Sequence, residues 1–293
     1  MVSTDESSIP AKKGDKQNLT QVCQFEMNFM LENCKYFIFA SSKSLFKILN
    51  FYQEAFGFHL FSVYRGFLIC IYILKREIMG KVIKVAVVGG TGKSGRYLVR
   101  QLLNSGYKVR MLLRDPDRSG ISNPDVETVT GNVLNIESVR SLLTGCSAVI
   151  STLGMGNSPT SEPPFSKATA NILDAMSYFG MNRYIVITGL NVNTPHDKKS
   201  LKCKAATDWM YENYPVTTTD KQLEYDILGK SSAAWTMLRL PLIEMTDRID
   251  RTEYNLEDCP GNVISVSSLA FFLTNQLNED SLVQKAPFLY NML

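Results

Sequence analysis

A short buried-strand pattern leads directly into closely spaced glycines, among them Gly89, Gly92 and Gly95, in residues 84–95, KVAVVGGTGKSG. The apolar run Val85 to Val88 is too short and too rich in β-branched residues for a helix, so it predicts a buried parallel strand ending at Gly89. A helix is predicted to begin near Lys93. In such a strand-turn-helix unit, Gly89 permits the tight turn, Gly92 lets the main chain approach a phosphate, and Gly95 lets the helix pack on the strand.

The start of this helix predicts a site for a pyrophosphate, because its unpaired N–H groups and positive dipole end attract anions. The residues predicted to form the site are Gly89, Thr91, Gly92, Lys93, Ser94 and Gly95. A triphosphatase P-loop is the competing interpretation, but that loop needs a glycine five residues before its Gly-Lys pair. Val87 stands there, inside the strand. The pattern therefore favours a dinucleotide site, with a glycine turn that binds nothing as the other alternative.

The end of the second predicted strand, Lys108 to Leu113, indicates which dinucleotide is bound. An NAD site normally has an acidic residue here, which binds the ribose 2′-hydroxyl. This chain has Arg114, nineteen residues after Gly95, followed by Arg118. A guanidinium suits a 2′-phosphate through charge-assisted bidentate hydrogen bonds, so the sequence favours NADP (NADPH) as the cofactor. The alternative is that both arginines are solvated charges beside their acidic neighbours.

Two later turns also follow predicted strands, at the edge where open α/β sheets bind their ligands. The strands cover residues 126–129 and 148–152. The cofactor contacts predicted from these turns are Asn132, Val133, Thr152, Leu153 and Gly154. We expect the amide of Asn132 at the adenine edge and the side chain of Val133 against the adenine face.

The carboxyl-terminal third continues the alternation of strands and helices. It predicts strands at 184–188 and 235–240, and helices at 164–178, 220–230 and 267–277. The second of these helices is expected to bury Leu223, Ile227 and Leu228 on one face. Pro241 and Leu242 follow the sixth strand, where a nicotinamide ring is expected. The alternation is that of a parallel sheet with crossover helices.

Residues 79–293 resemble the atypical short-chain dehydrogenase/reductase group, and within it the NAD(P)H-binding proteins similar to biliverdin-IXβ/flavin reductase and to the NmrA-like proteins. The resemblance rests on VVGGTGKSG, MLLRDPDR, GNVLN, VISTLG, RYIVITG and DKQLEYDILGKSSAAWTMLRLP, which occur in this order. It implies an α/β fold, a Rossmann-type doubly wound parallel sheet with a small C-terminal substrate region.

The resemblance does not supply a complete catalytic set. Typical members of the wider superfamily protonate their substrate with the tyrosine of a Tyr-x-x-x-Lys motif, but residues 190–204 contain no tyrosine. The flavin-reductase-like relatives lack that tyrosine, but their serine and histidine are Gly189 and Leu242 here. The remaining candidates are Thr188, as a hydrogen-bonding group, and His196, as an acid. Their alternatives are a strand-end threonine satisfied by the backbone and a surface-loop histidine.

Hydride transfer requires little beyond correct placement of cofactor and substrate, since the cofactor carries the chemistry. We therefore expect an NADPH-dependent oxidoreductase that reduces a small planar electron-poor substrate, such as a flavin or quinone. Its expected apolar floor consists of Leu153, Met155, Leu190, Leu242 and Ile243. The alternative is an NmrA-like NADP redox sensor without turnover. A nucleotide-sugar epimerase or dehydratase is disfavoured because the tyrosine base is absent.

Composition limits the partners. The chain is 45% hydrophobic with a net charge of +3, which suits an enzyme-sized domain and argues against a nucleic-acid partner. Its six cysteines show no close paired spacing, so they predict neither a metal site nor a disulfide scaffold. Reduced thiols are typical of a cytoplasmic protein. The oligomeric state is left open.

The first 78 residues are predicted to form an N-terminal extension, separate from the Rossmann domain at 79–293. Residues 55–74 approach the length of a membrane span, but Arg65 in the middle would cost about 2.5 to 3.5 kcal/mol. A membrane-spanning helix is therefore disfavoured for this segment. A helix that lies on the domain or on a membrane surface is preferred. The leading interpretation is that the working protein begins at Met79.

Overall fold

The structure is a computed structural model that describes residues 84–115, 121–154 and 162–292. All of them lie in the unit Val82–Leu293. Their strands are β1 (Lys84–Val88), β2 (Lys108–Leu113), β3 (Val126–Thr130), β4 (Ala148–Ser151), β5 (Arg183–Gly189), β6 (Ala234–Leu240), β7 (Leu242–Glu244), β8 (Thr252–Asn255), β9 (Val263–Ser265) and β10 (Phe288–Asn291). Their helices are α1 (Lys93–Asn104), α2 (Ile136–Leu143), α3 (Phe165–Phe179), α4 (Leu201–Asn213), α5 (Pro215–Lys230) and α6 (Val266–Asn275).

Eight of these strands form one sheet in the order β3-β2-β1-β4-β5-β6-β10-β8. Every neighbouring pair is parallel except β10 and β8. The strand order reverses between β1 and β4, which is the switch point where doubly wound sheets bind their ligands. The expected Rossmann-type parallel sheet is confirmed. A second sheet of β7 and β9 lies in the carboxyl-terminal part of the chain, where the resemblance implies a small substrate region.

The helices cover both faces of the sheet, and alternate residues of β1 show how. Val85 and Val87 pack in one core layer with α1 and α6, whereas Ala86 and Val88 pack in the other with α2 and α3. This alternation follows from the period of two along a strand. Because both faces of β1 are buried, the strand is apolar at successive positions, which made it recognisable in the sequence.

The six strands predicted from the sequence are present, each within one residue of its predicted bounds. Strands β7 to β10 were not predicted. They contain three or four residues each, and such short runs give no clear periodicity.

Helix α5 differs from its prediction in both its start and its buried face. It begins at Pro215, five residues earlier than expected. The prediction that Leu223 is buried was wrong, because this side chain is 49% exposed. The buried face carries Lys221 and Glu224 instead, whose Nζ and Oε2 atoms form an ion pair of 3.0 Å. Leu228, predicted on the same face as Leu223, is fully buried. The buried face of α5 therefore combines a predicted apolar residue with an ion pair that hydrophobic periodicity does not reveal.

No helix in the described ranges is long and apolar enough to cross a bilayer. The extension 1–78, including residues 55–74, lies outside those ranges. It therefore stays a prediction that the extension is separate from a domain at 79–293 and does not span a membrane. The cytoplasmic location of the protein also stays a prediction.

Candidate functional site

The turn after β1 forms a tight cradle in which two positions have no room for a side chain. Gly89 has a φ of +80°, and a Cβ there would lie 2.9 Å from the carbonyl oxygen of Thr152. A Cβ on Gly95 would overlap the Gly89 carbonyl oxygen and lie 2.7 Å from the Cα of Gly90. The strand, the turn and helix α1 therefore approach each other as closely as glycine permits.

Helix α1 begins without a capping side chain. Its N-cap residue is Gly92, whose N–H closes the turn by donating to the Gly89 carbonyl over 2.9 Å. The first helical turn contains no acidic residue that would neutralise the positive end of the dipole. The N–H groups of Lys93, Ser94 and Gly95 have no intrahelical acceptors, as in any first turn. Such an end binds anions, so the cradle fits a pyrophosphate.

Hydrogen bonds that involve Thr152 and Thr91 support the cradle. The hydroxyl of Thr152 lies 3.2 Å from the carbonyl oxygen of Val88 and 3.3 Å from that of Gly89. Arg96 donates through Nε to the carbonyl of Thr91 over 3.1 Å. Thr152 is thus bonded to the end of β1, and its predicted contact with a cofactor stays a prediction.

Arg114 is exposed directly after β2, close to the turn that follows β3. The N–H of Gly131 donates to the carbonyl of Leu113 over 2.8 Å, which places these two turns side by side. A phosphate near the ribose end of a bound dinucleotide would meet Arg114 at this edge. Arg118 lies outside the described residues.

The predicted adenine contacts lie in the turn after β3. The side-chain oxygen of Asn132 accepts a hydrogen bond from the N–H of Leu134 over 3.0 Å, which leaves its NH₂ group for a ligand. Val133 is 7% exposed and packs in the core. It therefore has little surface to offer an adenine ring.

The carboxyl end of β5 holds two buried polar groups for which the described residues provide no partner. Thr188 is 6% exposed, and its hydroxyl forms no hydrogen bond, so the backbone does not satisfy it. Asn191 is 3% exposed, and its Nδ2 atom also has no partner. Leaving such groups unpaired costs about 1 to 3 kcal/mol each. Buried polar atoms without partners call for an explanation, and a ligand is one.

Asn191 was not identified as a site residue from the sequence. The signal that could have found it is the neighbouring Gly189, where a Cβ would overlap the Oδ1 atom of Asn191. A glycine at this position leaves space that the amide of Asn191 fills.

The loop that carries Asn191 is held by buried charges. Arg239 is fully buried and donates through Nη1 to Asp197 over 2.6 Å. Lys199 is 8% exposed and donates through Nζ to the side-chain oxygen of Asn193 over 2.7 Å. Burial lowers the pKa of Lys199, and the nearby Asp197 carboxylate opposes that effect.

Three of the remaining predicted residues are accessible to solvent. His196 and Gly154 are exposed, and Leu242 is 71% exposed as the first residue of β7. Pro241 is buried and Leu153 is half-buried. The catalytic role of His196 stays a prediction.

A second buried cluster, also missed, lies against β5. Lys221 donates through Nζ to the carbonyl of Ile187 over 3.3 Å and to Glu224 over 3.0 Å. The hydroxyl of Thr169 links Glu224 to the Tyr184 phenol, at 2.8 Å and 2.9 Å. Burial, with the Glu224 carboxylate nearby, raises the pKa of Tyr184. This phenol is 0% exposed, so it cannot replace the missing tyrosine acid.

Lys221 is also relevant to the absent Tyr-x-x-x-Lys motif. The residue four positions before it is Thr217, which is 6% exposed on the same helix. The end of β5 therefore has a buried lysine from α5 and no tyrosine at the matching spacing.

A cavity of about 250 Å³ opens beside the loop, and its lining is polar and charged. It includes Asp197, Lys199, Asp208 and Tyr211. None of the residues expected to form an apolar floor lines this cavity. One of them, Met155, lies outside the described ranges, and the floor stays a prediction.

Neither thiols nor metal ligands offer an alternative centre in the described residues. The thiols of Cys146 and Cys259 are free, and burial raises their pKa to about 11 and about 12. Both stay protonated at neutral pH, which makes them poor nucleophiles. Across the described residues, no three His, Cys, Asp or Glu side chains come together as a metal site.

Comparison with known proteins agrees with this geometry. Residues 89–280 match the model of the NAD(P)H-binding family. Protein TIC 62 of Arabidopsis thaliana, a chloroplast protein, is 30% identical over 132 residues, which are 37% of this chain and 21% of that protein. The uncharacterised protein y4nG of Sinorhizobium fredii is 38% identical over 72 residues, 24% of this chain and 18% of that protein. The chain thus spans about a fifth of the length of these relatives.

Solved structures share the fold. A short-chain dehydrogenase/reductase from Veillonella parvula, in complex with NADP, superposes with a TM-score of 0.58 at 15% identity, covering 71% of this chain and 94% of that one. The oxidoreductase ylbE from Lactococcus lactis gives 0.59 at 18% identity, covering 72% and 91%. Strand order, glycine cradle and family model agree: the chain belongs to the NAD(P)H-binding family and has the same Rossmann fold as these solved structures.

Proposed function

We propose that this chain is an NADPH-dependent oxidoreductase that transfers a hydride to a small planar electron-poor acceptor, such as a flavin or quinone. The observation that carries the proposal is the cradle after β1. Gly89 and Gly95 leave no space for side chains there, and the first turn of α1 has neither a cap nor an acidic residue. Membership of an NAD(P)H-binding family supports a nicotinamide coenzyme as the ligand.

The residues that would hold the coenzyme follow the switch point of the sheet. The main chain of residues 89–95, with the side chains of Lys93 and Ser94, would bind the pyrophosphate. Asn132 would contact the adenine through its NH₂ group, whereas Val133 is buried in the core and has little surface to contribute. Leu153, Gly154, Pro241 and Leu242 would surround the nicotinamide, with Thr188 next to them on the side of the acceptor. When bound, the nicotinamide supplies the hydride.

Selectivity for NADPH over NADH is assigned to Arg114. It stands where an NAD site has its acidic residue, and it is exposed and able to reach a 2′-phosphate. The similar Veillonella parvula protein was solved with NADP, which agrees with this choice.

Replacing Arg114 with alanine should weaken the binding of NADPH far more than the binding of NADH. Loss of a charge-assisted hydrogen bond costs about 1.5 to 3 kcal/mol, or roughly 10- to 150-fold in affinity. Calorimetric titration with both coenzymes measures the effect. A matched control is Arg251→Ala, at an exposed arginine beside β8 on the opposite edge of the sheet, which should change neither affinity. Equal weakening of NADPH and NADH in the Arg114 variant would contradict the assignment.

The groups left at the nicotinamide end can position substrate but offer no evident proton donor. Thr188 and Asn191 are neutral, Lys221 is bonded to Glu224 and to the main chain, and Tyr184 is fully buried. A flavin or quinone suits such a site, because its reduced form can take its proton from water. A simple ketone does not, because it needs an acid beside the developing alkoxide.

A non-catalytic NADP sensor of the NmrA-like kind is the second candidate. Gly189 and Leu242 favour it, since they stand where the flavin-reductase-like relatives have a serine and a histidine. Steady-state consumption of NADPH with a panel of flavins and quinones separates the two. Turnover supports the oxidoreductase. Micromolar NADPH binding without turnover of any acceptor would favour the sensor.

A further inference from the structure

Thr188 and Asn191 lie at a place in the sheet that faces the reacting end of a dinucleotide. Strand β5 is the second neighbour of β1 through β4, so its end lies roughly 10 Å from the cradle, given about 4.8 Å between adjacent strands. The nicotinamide half of a coenzyme whose pyrophosphate rests after β1 extends over this distance. A molecule stacked on the nicotinamide would then meet both side chains.

Gly189 explains how the Asn191 amide comes to be there. A Cβ on Gly189 would overlap the Oδ1 atom of Asn191. The last residue of β5 must therefore lack a side chain for the amide to occupy its present position. The hydrogen-bonding capacity that a serine would have given at 189 is not lost. It is supplied by an amide two residues later.

The backbone around Asn191 is held by groups that do not use its amide NH₂. The carbonyl of Val192 accepts hydrogen bonds from Arg239 Nη1 over 3.1 Å and from Lys199 Nζ over 3.3 Å. Asn193 exchanges two hydrogen bonds with the side chain of Gln222, at 2.9 Å and 3.1 Å. The fold thus places the amide without satisfying it, and its Nδ2 atom is buried without a partner in the described chain.

We propose that the Nδ2 group of Asn191 and the hydroxyl of Thr188 together bind a carbonyl oxygen of the hydride acceptor. The inference rests on the proposed function and narrows its substrate class to acceptors with a ring carbonyl, as in quinones and flavins. Both groups are donors and both are more than nine-tenths buried. Two donors that met at one oxygen would form an oxyanion-type site.

The pair would act on the charge that develops during reduction. The acceptor takes a hydride, two electrons and one proton, from C4 of the nicotinamide, and takes a second proton from water. NADPH is oxidised to NADP⁺ in the same step. Negative charge accumulates on the acceptor's conjugated oxygen as the hydride arrives, and two buried donors stabilise it there. This electrostatic role does not require a tyrosine acid.

The test compares two nearly isosteric variants, Asn191→Leu and Thr188→Val, with Thr188→Ser as the control that keeps the hydroxyl. The first readout is binding of two probes, 1,4-naphthoquinone-2-sulfonate and lumiflavin, to the full chain saturated with NADP⁺. Calorimetry and flavin fluorescence measure this binding. The second is NADPH affinity. The third is kcat/KM with the quinone.

We expect each of the two variants to bind both carbonyl probes at least about 10-fold more weakly, and to lose about 10²-fold in kcat/KM, as when one oxyanion donor is removed. NADPH affinity should stay within about twofold, and Thr188→Ser should bind the probes like the unmodified chain. Gly189→Ser should also weaken binding of the probes. The serine side chain adds a hydroxyl, but it displaces the Asn191 amide.

Several outcomes would overturn the inference. Equal losses for NADPH and the probes would show that the pair binds the coenzyme instead. Unchanged probe binding in both variants would show that the two groups are structural. An unmodified chain that binds NADP⁺ but neither probe would reject the carbonyl site while leaving the coenzyme site intact. No heat with NADPH or NADP⁺ would reject the proposed function as well as the inference.

Discussion

Replacing Gly95 with alanine is expected to weaken NADPH binding by about 100-fold, the equivalent of two charge-assisted hydrogen bonds at about 1.5 kcal/mol each. A Cβ there would overlap the Gly89 carbonyl oxygen and lie 2.7 Å from the Cα of Gly90. Both are main-chain atoms, so they cannot rotate away as a side chain would. Helix α1 would have to move off the turn, and its first-turn N–H groups would lose their alignment on the pyrophosphate. Calorimetric titration measures the loss.

Gly229→Ala is the matched control for this substitution. Gly229 lies in α5, and a Cβ there meets nothing within 4 Å. This variant should keep its NADPH affinity and gain up to about 1 kcal/mol of stability, as alanine is the better helix former.

The Gly95 variant will also lose stability by overpacking, by about 1 to 3 kcal/mol. A second substitution, Gly92→Leu, separates folding from binding. A Cβ on Gly92 would lie 3.1 Å from the Gly89 oxygen, and the residue is exposed. We expect this variant to fold, as judged by circular dichroism, and to lose NADPH binding. Wild-type affinity in both glycine variants would mean that no phosphate lies in the cradle.

Arg239→Met is expected to lower the free energy of unfolding by about 3 to 5 kcal/mol, the range for removing one partner of a buried ion pair. Arg239 is fully buried, and it donates to Asp197 over 2.6 Å, to the carbonyl of Ala286 over 2.7 Å and to that of Leu256 over 3.0 Å. Its guanidinium also stacks on Phe288, with 3.6 Å from Cζ to the ring centroid. Methionine would leave these acceptors buried without this donor. Urea-induced unfolding measures the difference.

Two controls distinguish a buried charge from an ordinary one. Arg251→Met removes an exposed ion pair with Glu253, 2.8 Å long, and should cost at most about 1 kcal/mol. Adding Asp197→Asn to the Arg239 variant removes the carboxylate that has lost its arginine partner, and should recover part of the lost stability. If Arg239→Met destabilises no more than Arg251→Met, the buried network does not hold the loop.

The parts of the fold that the sequence predicted are those with strong local patterns. Strand β1 is continuously apolar because helices cover both of its faces, and the glycines after it are required by close main-chain approach at Gly95. These signals depend only on neighbouring residues, so they were readable without the structure.

What the sequence did not predict depends on contacts that no local hydrophobic pattern shows. The burial of Lys221 on α5 depends on Glu224 and on the main chain of β5, and charged residues are usually exposed. The importance of Asn191 depends on the lack of a partner for its amide in the described part of the chain, which no spacing in the sequence reveals. Strands β7 to β10 are too short to show a period.

Because β10 pairs with β6, the two halves of the proposed site are completed in a fixed order during synthesis. Phe288 and the carbonyl of Ala286 bind Arg239, which in turn bonds the carbonyl of Val192. Residues 89–95 and Thr152, which bonds to the end of β1, are all synthesised well before β10. The contacts that hold the loop next to β5 include residues 286 and 288, so the half that would meet the acceptor is completed after the half that would meet the coenzyme.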